Sequence, residues 1–238
     1  HELREIVEKS PGIVGRDLVR EVTCSAPFRW EPEPLPPMGR GVFPRVEKID
    51  PPLRVVAFDC GIKKNILRIL SAMGCEVWVV PAGTAAEEAL SYRPDGIFVS
   101  NGPGDPAGVP YVAEEIRKLL GRKPIFGICL GHQLLGMAMG GRTFKLKFGQ
   151  PVKDLARGNI LITSQNHGFC VDIGSLGGQA ELTFVNLNDG TLEGMRHREH
   201  PAYSVQFHPE DSPGPHDAVY LFGDFIQDML AARGEEFA

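Results

Sequence analysis

The sequence lacks the features that mark several classes of protein. No apolar run approaches the roughly 18 residues of a transmembrane helix, and a net charge of -5 disfavours nucleic acid or an anionic membrane as partner. The cysteines are odd in number and show no CxxC spacing, which fits a reducing cytoplasm better than disulfides or a metal site. No Walker-type phosphate loop occurs, so nothing here indicates an ATP site.

What is present is typical of an α/β protein, with 42% hydrophobic residues and 28 glycines among 238 residues. Residues 1–52 are an exception, because eight of the 20 prolines fall between Pro27 and Pro52. Such a density blocks helices and central strands. We expect residues 1–52 to be the end of an amino-terminal domain, with a short helix at Glu2–Lys9, followed by a proline-rich linker. The chain starts at His1 rather than at methionine, so we expect a fragment of a longer polypeptide.

Residues 53–238 alternate between strand and helix patterns and are predicted to form one domain. Strands are predicted at 54–58, 76–80, 96–100 and 124–128, and helices at about 62–73, 85–90 and 112–120. This alternation predicts a doubly wound, mostly parallel sheet whose functional sites lie at the carboxyl ends of the strands. Further strands are predicted at 159–163, 181–185, 191–196 and 202–207, with a final helix at about 217–233.

Cys129 lies where a predicted strand turns into a predicted helix, between Gly127 and Gly131. This is the Gly-x-nucleophile-x-Gly elbow, in which glycines relieve crowding around a strained turn. The N-terminus of the helix would favour the thiolate, and backbone N–H groups at the turn could hold an oxyanion. We therefore predict that Cys129 is a nucleophile and that Cys24, Cys60, Cys75 and Cys170 are structural.

A candidate base follows about eighty residues later, in Gln206-Phe207-His208-Pro209-Glu210. Pro209 favours an extended His208, and residues two apart in an extended chain face the same side. Glu210 can then orient the imidazole of His208. A nucleophile, a base and an orienting carboxylate are the parts of acyl transfer through a covalent intermediate.

Two polar loops are candidate binding segments. Asn101–Pro106 follows a predicted strand and contains two glycines that allow close approach of a ligand, although an ordinary tight turn has the same composition. Gln165–Phe169 supplies donors, acceptors and a flexible backbone, and His167 within it is expected to be a hydrogen-bonded loop residue. His132 is expected to serve in packing or at the helix start.

The motifs GICLGHQ at 127–133 and QFHPE at 206–210 resemble those of class I (triad-type) glutamine amidotransferases. FDCGIKKNILR at 58–68, SNGPGDP at 100–106, KFG at 147–149, QNHGF at 165–169 and SPGPHD at 212–217 extend the resemblance. Together they are similar to the small, glutamine-hydrolysing subunits of carbamoyl phosphate synthases, over nearly the whole chain.

The resemblance implies a role for each matched position. Cys129 would attack the side-chain amide of L-glutamine, His208 would act as general base and acid, and Glu210 would orient it. Leu130 and Gly104 would supply the N–H groups of the oxyanion hole. The residues implied to hold glutamine are Gly102, Gln133, Asn166, Gly168 and Phe169.

The resemblance also implies a partner, the large carbamoyl phosphate synthase subunit, which would receive ammonia through an internal tunnel. ATP and a divalent metal are expected on that partner, and no cofactor or metal on this chain. The products would serve arginine and pyrimidine biosynthesis. The sequence departs from the family in having few residues between Gly149 and Pro151, near the expected mouth of the active site.

Three alternatives remain open from sequence. The chain could feed ammonia to another acceptor, as other amidotransferases of this fold do, although FDCGIK and SPGPHD weigh against this. It could be a free-standing cysteine hydrolase that needs no partner. It could also be a regulatory module without activity, against which the intact Cys129, His208 and Glu210 argue.

Overall fold

The computed structural model describes residues 2–35, 49–145, 151–210 and 217–234. In these ranges the strands are β1 (Phe28–Arg29), β2 (Leu53–Asp59), β3 (Cys75–Pro81), β4 (Gly96–Val99), β5 (Ile125–Ile128), β6 (Arg142–Lys145), β7 (Val152–Asp154), β8 (Ile160–Leu161), β9 (Phe169–Asp172), β10 (Ala180–Asn186), β11 (Leu192–His197) and β12 (Ala202–Val205). The helices are α1 (Glu2–Lys9), α2 (Val19–Val22), α3 (Lys64–Ala72), α4 (Ala86–Ser91), α5 (Pro110–Leu119), α6 (Leu130–Ala138) and α7 (Tyr220–Arg233). None of these helices is long and apolar enough to cross a membrane.

One large sheet organises the molecule, with strand order β1-β3-β2-β4-β5-β12-β11-β10-β7-β8. The central strands β3, β2, β4, β5 and β12 are parallel to one another, whereas the strands at both ends pair antiparallel. A separate pair, β6 and β9, is antiparallel. The predicted doubly wound, mostly parallel sheet is therefore confirmed for the centre of the fold.

Both faces of the central sheet are covered, because side chains alternate along each strand. In β2, Val56 and Phe58 pack in the core that lies under α4, α5 and α6. Val55 and Ala57 pack in the opposite core, under α3 and α7. Near-continuous burial along β2, β4 and β5 follows from this two-sided cover and explains their apolar sequences.

The segment before β2 packs against the sheet. β1 pairs with β3, Phe28 opposite Val79 and Arg29 opposite Trp78. Val19 of α2 is fully buried in the core under α5 and α6. The predicted domain division at residue 52 stays a prediction.

The elements predicted from sequence are present, with bounds that differ by a few residues. The predicted strand at 159–163 is only β8 (Ile160–Leu161), and the last helix begins at Tyr220. Strands β1, β6, β7 and β9 were not predicted. The KFG motif and residues 212–216 of SPGPHD lie outside the described residues.

Candidate active site

The candidate site lies at the carboxyl edge of the parallel strands. β5 ends directly before Cys129, β4 is followed by the loop that starts at Ser100, and β12 is followed by Gln206–Glu210. Because β4, β5 and β12 are neighbours in register, with Val99 opposite Gly127 and Ile128 opposite Val205, their carboxyl ends coincide. Residues far apart in sequence are therefore brought to one place.

The backbone at Cys129 is strained. Its φ is 55° and its ψ is -104°, a combination that residues with a Cβ rarely adopt. Cys129 precedes α6 directly, and its N–H donates to the carbonyl oxygen of Val205 at 2.9 Å. This bond fixes the elbow to the strand that leads to His208.

The two glycines of the elbow are required by close contacts between backbones. A Cβ on Gly131 would lie 2.1 Å from the carbonyl oxygen of Val99, and a Cβ on Gly127 would lie 2.8 Å from the carbonyl oxygen of Gly131. Both distances are far below van der Waals contact. The Gly-x-Cys-x-Gly pattern thus reflects the packing of α6 against the strand ends.

His208 and Glu210 form a buried pair. Nδ1 of His208 lies 2.8 Å from Oε1 of Glu210, and the two residues are 4% and 1% exposed. Nε2 of His208 is buried and has no hydrogen-bond partner in the described part of the chain. Burial lowers the pKa of His208, but Cys129 and Glu210 outweigh it and raise that pKa to about 10. The ring is therefore held by Glu210 at Nδ1, and Cys129 is near enough to raise its pKa.

Lys63 also contacts this pair. Its Nζ lies 3.3 Å from Oε1 of Glu210, and the side-chain amide of Asn65 donates to the Glu210 carbonyl oxygen. Lys63 was not predicted to take part in the site, although the FDCGIKKNILR motif contains it. Lys63 thus places a cation beside the buried carboxylate of Glu210.

A cavity of about 460 Å³ opens over Cys129 and His208. Its lining includes Gly104 of the predicted oxyanion hole and all five residues predicted to hold glutamine: Gly102, Gln133, Asn166, Gly168 and Phe169. Glu210 lies behind His208 rather than on the cavity wall, and the Leu130 side chain is buried in the core. Ile13 also lines the cavity but was not predicted, because it belongs to no motif by which it could have been found.

The glycine loop after β4 approaches its neighbours as closely as the elbow does. A Cβ on Gly102 would lie 2.1 Å from the carbonyl oxygen of Cys60 and 2.8 Å from Cδ2 of Leu130. Gly104 has a φ of +96°, which favours glycine. The composition of this loop is therefore set by its path beside α6.

Two histidines near the site are not free bases. His132 is fully buried, its Nδ1 lies 2.9 Å from Oγ of Ser204, and burial lowers its pKa to about 3. His167 lines the cavity and is bonded within its own loop, to Gln165 and to the Phe169 carbonyl oxygen. Among the described residues, no group of three or more potential ligands is placed to hold a metal ion.

The sequence profile of class I glutamine amidotransferases matches residues 56–228. The chain belongs to this family. The resemblance inferred from the motifs is confirmed at the level of the family, and the fold class with it.

Named relatives extend the similarity along the chain. It is 55% identical to the carbamoyl phosphate synthase small chain of Syntrophotalea carbinolica, over 97% of this chain and 62% of the relative. It is 52% identical to that of Thermosynechococcus vestitus, over 98% and 62%, and 47% identical to the chloroplastic one of Arabidopsis thaliana, over 95% and 53%. The chain thus spans about three fifths or less of the length of these relatives.

Solved structures share the fold. A protein described as a GMP synthase component from Thermoplasma acidophilum has a TM-score of 0.68 and 22% identity, over 77% of this chain and 96% of its own length. A glutamine amidotransferase from Thermotoga maritima has a TM-score of 0.55 and 18% identity, over 76% and 85%. At such identities the likeness concerns architecture alone.

Proposed function

We propose that this chain hydrolyses glutamine to glutamate and ammonia through a thioester on Cys129. The ammonia passes to a large ATP-dependent subunit for carbamoyl phosphate synthesis. The observation that carries the proposal is that Cys129 and His208 share one cavity, with Glu210 behind the imidazole.

In the first half of the reaction, Sγ of Cys129 attacks the side-chain amide carbon of glutamine. Because the pKa of His208 is raised to about 10, Nε2 already carries the proton that the thiol gives up, and the imidazolium donates it to the amide nitrogen as the C–N bond breaks. Ammonia leaves, and a γ-glutamyl thioester remains. Glu210 supports this step because its bond to Nδ1 leaves Nε2 for proton transfer.

In the second half, water attacks the thioester carbon. His208 accepts a proton from the water and returns it to Sγ as the C–S bond breaks, which releases glutamate. In both halves the amide or thioester oxygen becomes an oxyanion. We assign its stabilisation to the backbone N–H groups of Leu130, at the N-terminus of α6, and of Gly104.

The cavity suits a small polar substrate. Its volume of about 460 Å³ lies within the usual range for small-molecule sites. Asn166 offers an amide group and Gln133 its amide oxygen for the polar ends of glutamine, while Gly102 and Gly168 allow a close approach to the backbone. We assign these residues and Phe169 to glutamine binding.

The choice of partner rests on relatives that are named carbamoyl phosphate synthase small chains. They support delivery of ammonia to a large synthase subunit, and ATP and a divalent metal belong on that partner. Free thiols at all five cysteines are compatible with a cytoplasmic location.

Cys129→Ser in the intact protein tests the nucleophile. We expect glutamine-dependent ammonia release to fall by at least about 10³-fold, because nucleophile and base act as a unit. When the variant is combined with a large subunit, carbamoyl phosphate synthesis from added ammonia should persist. Release of ammonia at the wild-type rate would refute the assignment.

The matched control is Cys75→Ser, at a buried cysteine in β3 that does not line the cavity. It should keep glutamine hydrolysis near the wild-type rate. Copurification with a large subunit separates carbamoyl phosphate synthesis from the free-standing hydrolase. If ammonia from glutamine were incorporated by another synthetase and not by the large carbamoyl phosphate synthase subunit, the chain would serve a different acceptor.

A further inference from the structure

Glu193 is a buried carboxyl group with no role in the reaction described above. It lies on β11, is fully buried, and its backbone carbonyl accepts from the N–H of Gln206, two residues before His208. Oε1 accepts from the side-chain amide of Asn186 at 2.9 Å, and Oε2 lies 3.0 Å from Nε2 of Gln165. A buried carboxyl group is costly unless it is well bonded, so its partners are informative.

A chain of hydrogen bonds connects Glu193 with the cavity. Oε1 of Gln165 is 2.7 Å from Nε2 of His167, and Nδ1 of His167 is 3.0 Å from the carbonyl oxygen of Phe169. That carbonyl also accepts from Nε2 of Gln133 at 2.9 Å. His167, Phe169 and Gln133 all line the cavity over Cys129.

We propose that Glu193 is a positioning residue for substrate, acting through Gln165 on His167 and the carbonyl of Phe169. The inference rests on the proposed function, because the substrate is taken to be glutamine. It adds a residue that does not touch the cavity and that no motif indicated.

The positions of the protons along the hydrogen bonds from Glu193 to Phe169 explain how Glu193 acts. A carbonyl oxygen only accepts, so His167 must carry its proton on Nδ1 to bond Phe169. The neutral ring then has a lone pair on Nε2 and needs a donor there. Gln165 supplies one if its amide is turned over from the orientation seen here, so that NH₂ faces His167 and the oxygen faces Glu193 and Thr163, its other partner at 3.0 Å. With the oxygen on that side, Glu193 can bond to Gln165 only as the protonated acid, which donates to it.

The surroundings favour this arrangement near neutral pH. Burial raises the pKa of Glu193 to about 7, and the charge of Asp189 adds to the effect. Burial also lowers the pKa of His167, so the neutral ring is favoured. Cys170 also lies close to Glu193, and its pKa is raised to about 12 by burial and then by the Glu193 charge.

Ionisation of Glu193 would break the pattern. The carboxylate only accepts, so Gln165 must turn its NH₂ toward Glu193 and its oxygen toward His167. A neutral His167 can then donate to Gln165 or to Phe169, but not to both. The loop 165–169 loses a hydrogen bond on the cavity wall, which should weaken substrate binding while Cys129 and His208 stay in place.

The first test is the pH dependence of KM for glutamine in the intact protein, from about pH 6 to about pH 8.5, on either side of the Glu193 pKa. Glu193→Gln reproduces the neutral acid, since its oxygen accepts from Asn186 and its NH₂ donates to Gln165. Between the two ends of this pH range, we expect the KM of the wild type to rise by up to about tenfold more than the KM of Glu193→Gln. A factor of ten corresponds to the loss of one hydrogen bond. The kcat profiles of the two proteins should coincide.

Two further variants sharpen this test. Glu193→Leu, which has no hydrogen-bonding group, should raise KM about tenfold at every pH and change kcat by less than about twofold. Asp154→Asn removes another buried carboxylate, which is bonded to Tyr220 and does not line the cavity. It should leave the pH profile of KM as in the wild type. Equal KM profiles for wild type and Glu193→Gln, or a loss in kcat instead of KM for Glu193→Leu, would overturn the proposal.

The second test does not depend on activity. Nitrogen NMR of labelled histidine rings reports whether the proton of His167 lies on Nδ1 or on Nε2. We expect Nδ1–H below the Glu193 pKa, a change as Glu193 ionises, and no change in Glu193→Gln. If the His167 signals of the unmodified protein did not change across the Glu193 titration, the inference would be refuted. This result does not depend on whether the variants fold. Absence of glutamine hydrolysis by the unmodified protein would refute the proposed function instead.

Discussion

The strained backbone at Cys129 predicts an inverted order of stability for two variants, Cys129→Gly and Cys129→Ala. Glycine normally destabilises a folded protein by roughly 0.5–1 kcal/mol relative to alanine, because the unfolded chain gains freedom. At Cys129 the φ of 55° and ψ of -104° strain any residue that has a Cβ. Glycine removes that strain, and alanine keeps it.

The magnitude follows from the two opposing effects. A residue in such a sparsely populated region costs about 1–3 kcal/mol. Subtracting the entropic cost of glycine leaves Cys129→Gly more stable than Cys129→Ala by about 1 kcal/mol. Because both variants lack Sγ, the loss of its packing and of its interaction with His208 cancels in the comparison. In a domain of this size the difference corresponds to about 2–4 °C in Tm.

Urea unfolding of the intact protein, followed by fluorescence, measures the difference, with calorimetry as a second probe. The matched control is Ala113→Gly, at a buried position inside α5. There glycine should destabilise by about 1 kcal/mol or more. If Cys129→Gly were less stable than Cys129→Ala by a similar amount, the elbow would not store strain and the nucleophile geometry would be wrong.

Three shorter predictions follow from the same contacts. Gly131→Ala should destabilise by about 3 kcal/mol or more in urea, because its Cβ would meet a backbone oxygen at 2.1 Å, whereas Gly12→Ala, with open space around it, should change little. Glu210→Gln should lower the pKa of His208 in an NMR titration, since the carboxylate helps to raise it, and an unchanged pKa would contradict the buried pair. The contribution of Glu193 to the free energy of unfolding should fall between pH 4.5 and about 7, because the folded protein holds the Glu193 proton that the unfolded chain releases. It is measured as the difference between wild type and Glu193→Gln, which should change by up to about 3 kcal/mol across this window, and equal pH dependence of the two proteins in urea would exclude the raised pKa.

Much of the fold was predictable because its signals are local. Apolar runs of strand length alternate with amphipathic helices from residue 53 onward, and Gly127 and Gly131 mark the elbow in the sequence itself. The His-Pro-Glu run indicates its own geometry, because Pro209 restricts His208 and residues two apart share a side. Local features of this kind can be predicted from sequence because they do not depend on tertiary contacts.

The remaining features depend on contacts that sequence does not display. Strands β1, β7 and β8 have only two or three residues each, too few for a period to emerge. Lys63 becomes notable only when Glu210, on a distant strand end, lies within 3.3 Å of it. From sequence, Glu193 is indistinguishable from an ordinary polar residue of an antiparallel strand, because only the structure reveals its complete burial.

The amino-terminal segment shows the same dependence on tertiary structure. Its backbone bonds to loops beside the site: the N–H of Gly15 donates to Asp105 at 2.9 Å, and the N–H of Cys24 donates to Asp59 at 2.8 Å. Asp59 also accepts from Gly61, which lines the cavity. Composition predicted a linker for much of this stretch, since prolines suppress regular structure, but composition is silent on where an irregular chain packs.

Cys129 and His208 are far apart in sequence, and the register of their two strands brings them to the same edge of the sheet. Ile128 and Val205 are partners on adjacent parallel strands, so Cys129 lies one residue, and His208 three residues, beyond a shared line. Each strand is buried on both faces, and a slip of one residue would exchange the side chains that face the two cores. The same apolar packing that fixes this register therefore brings the predicted nucleophile and the predicted base to the same edge of the sheet.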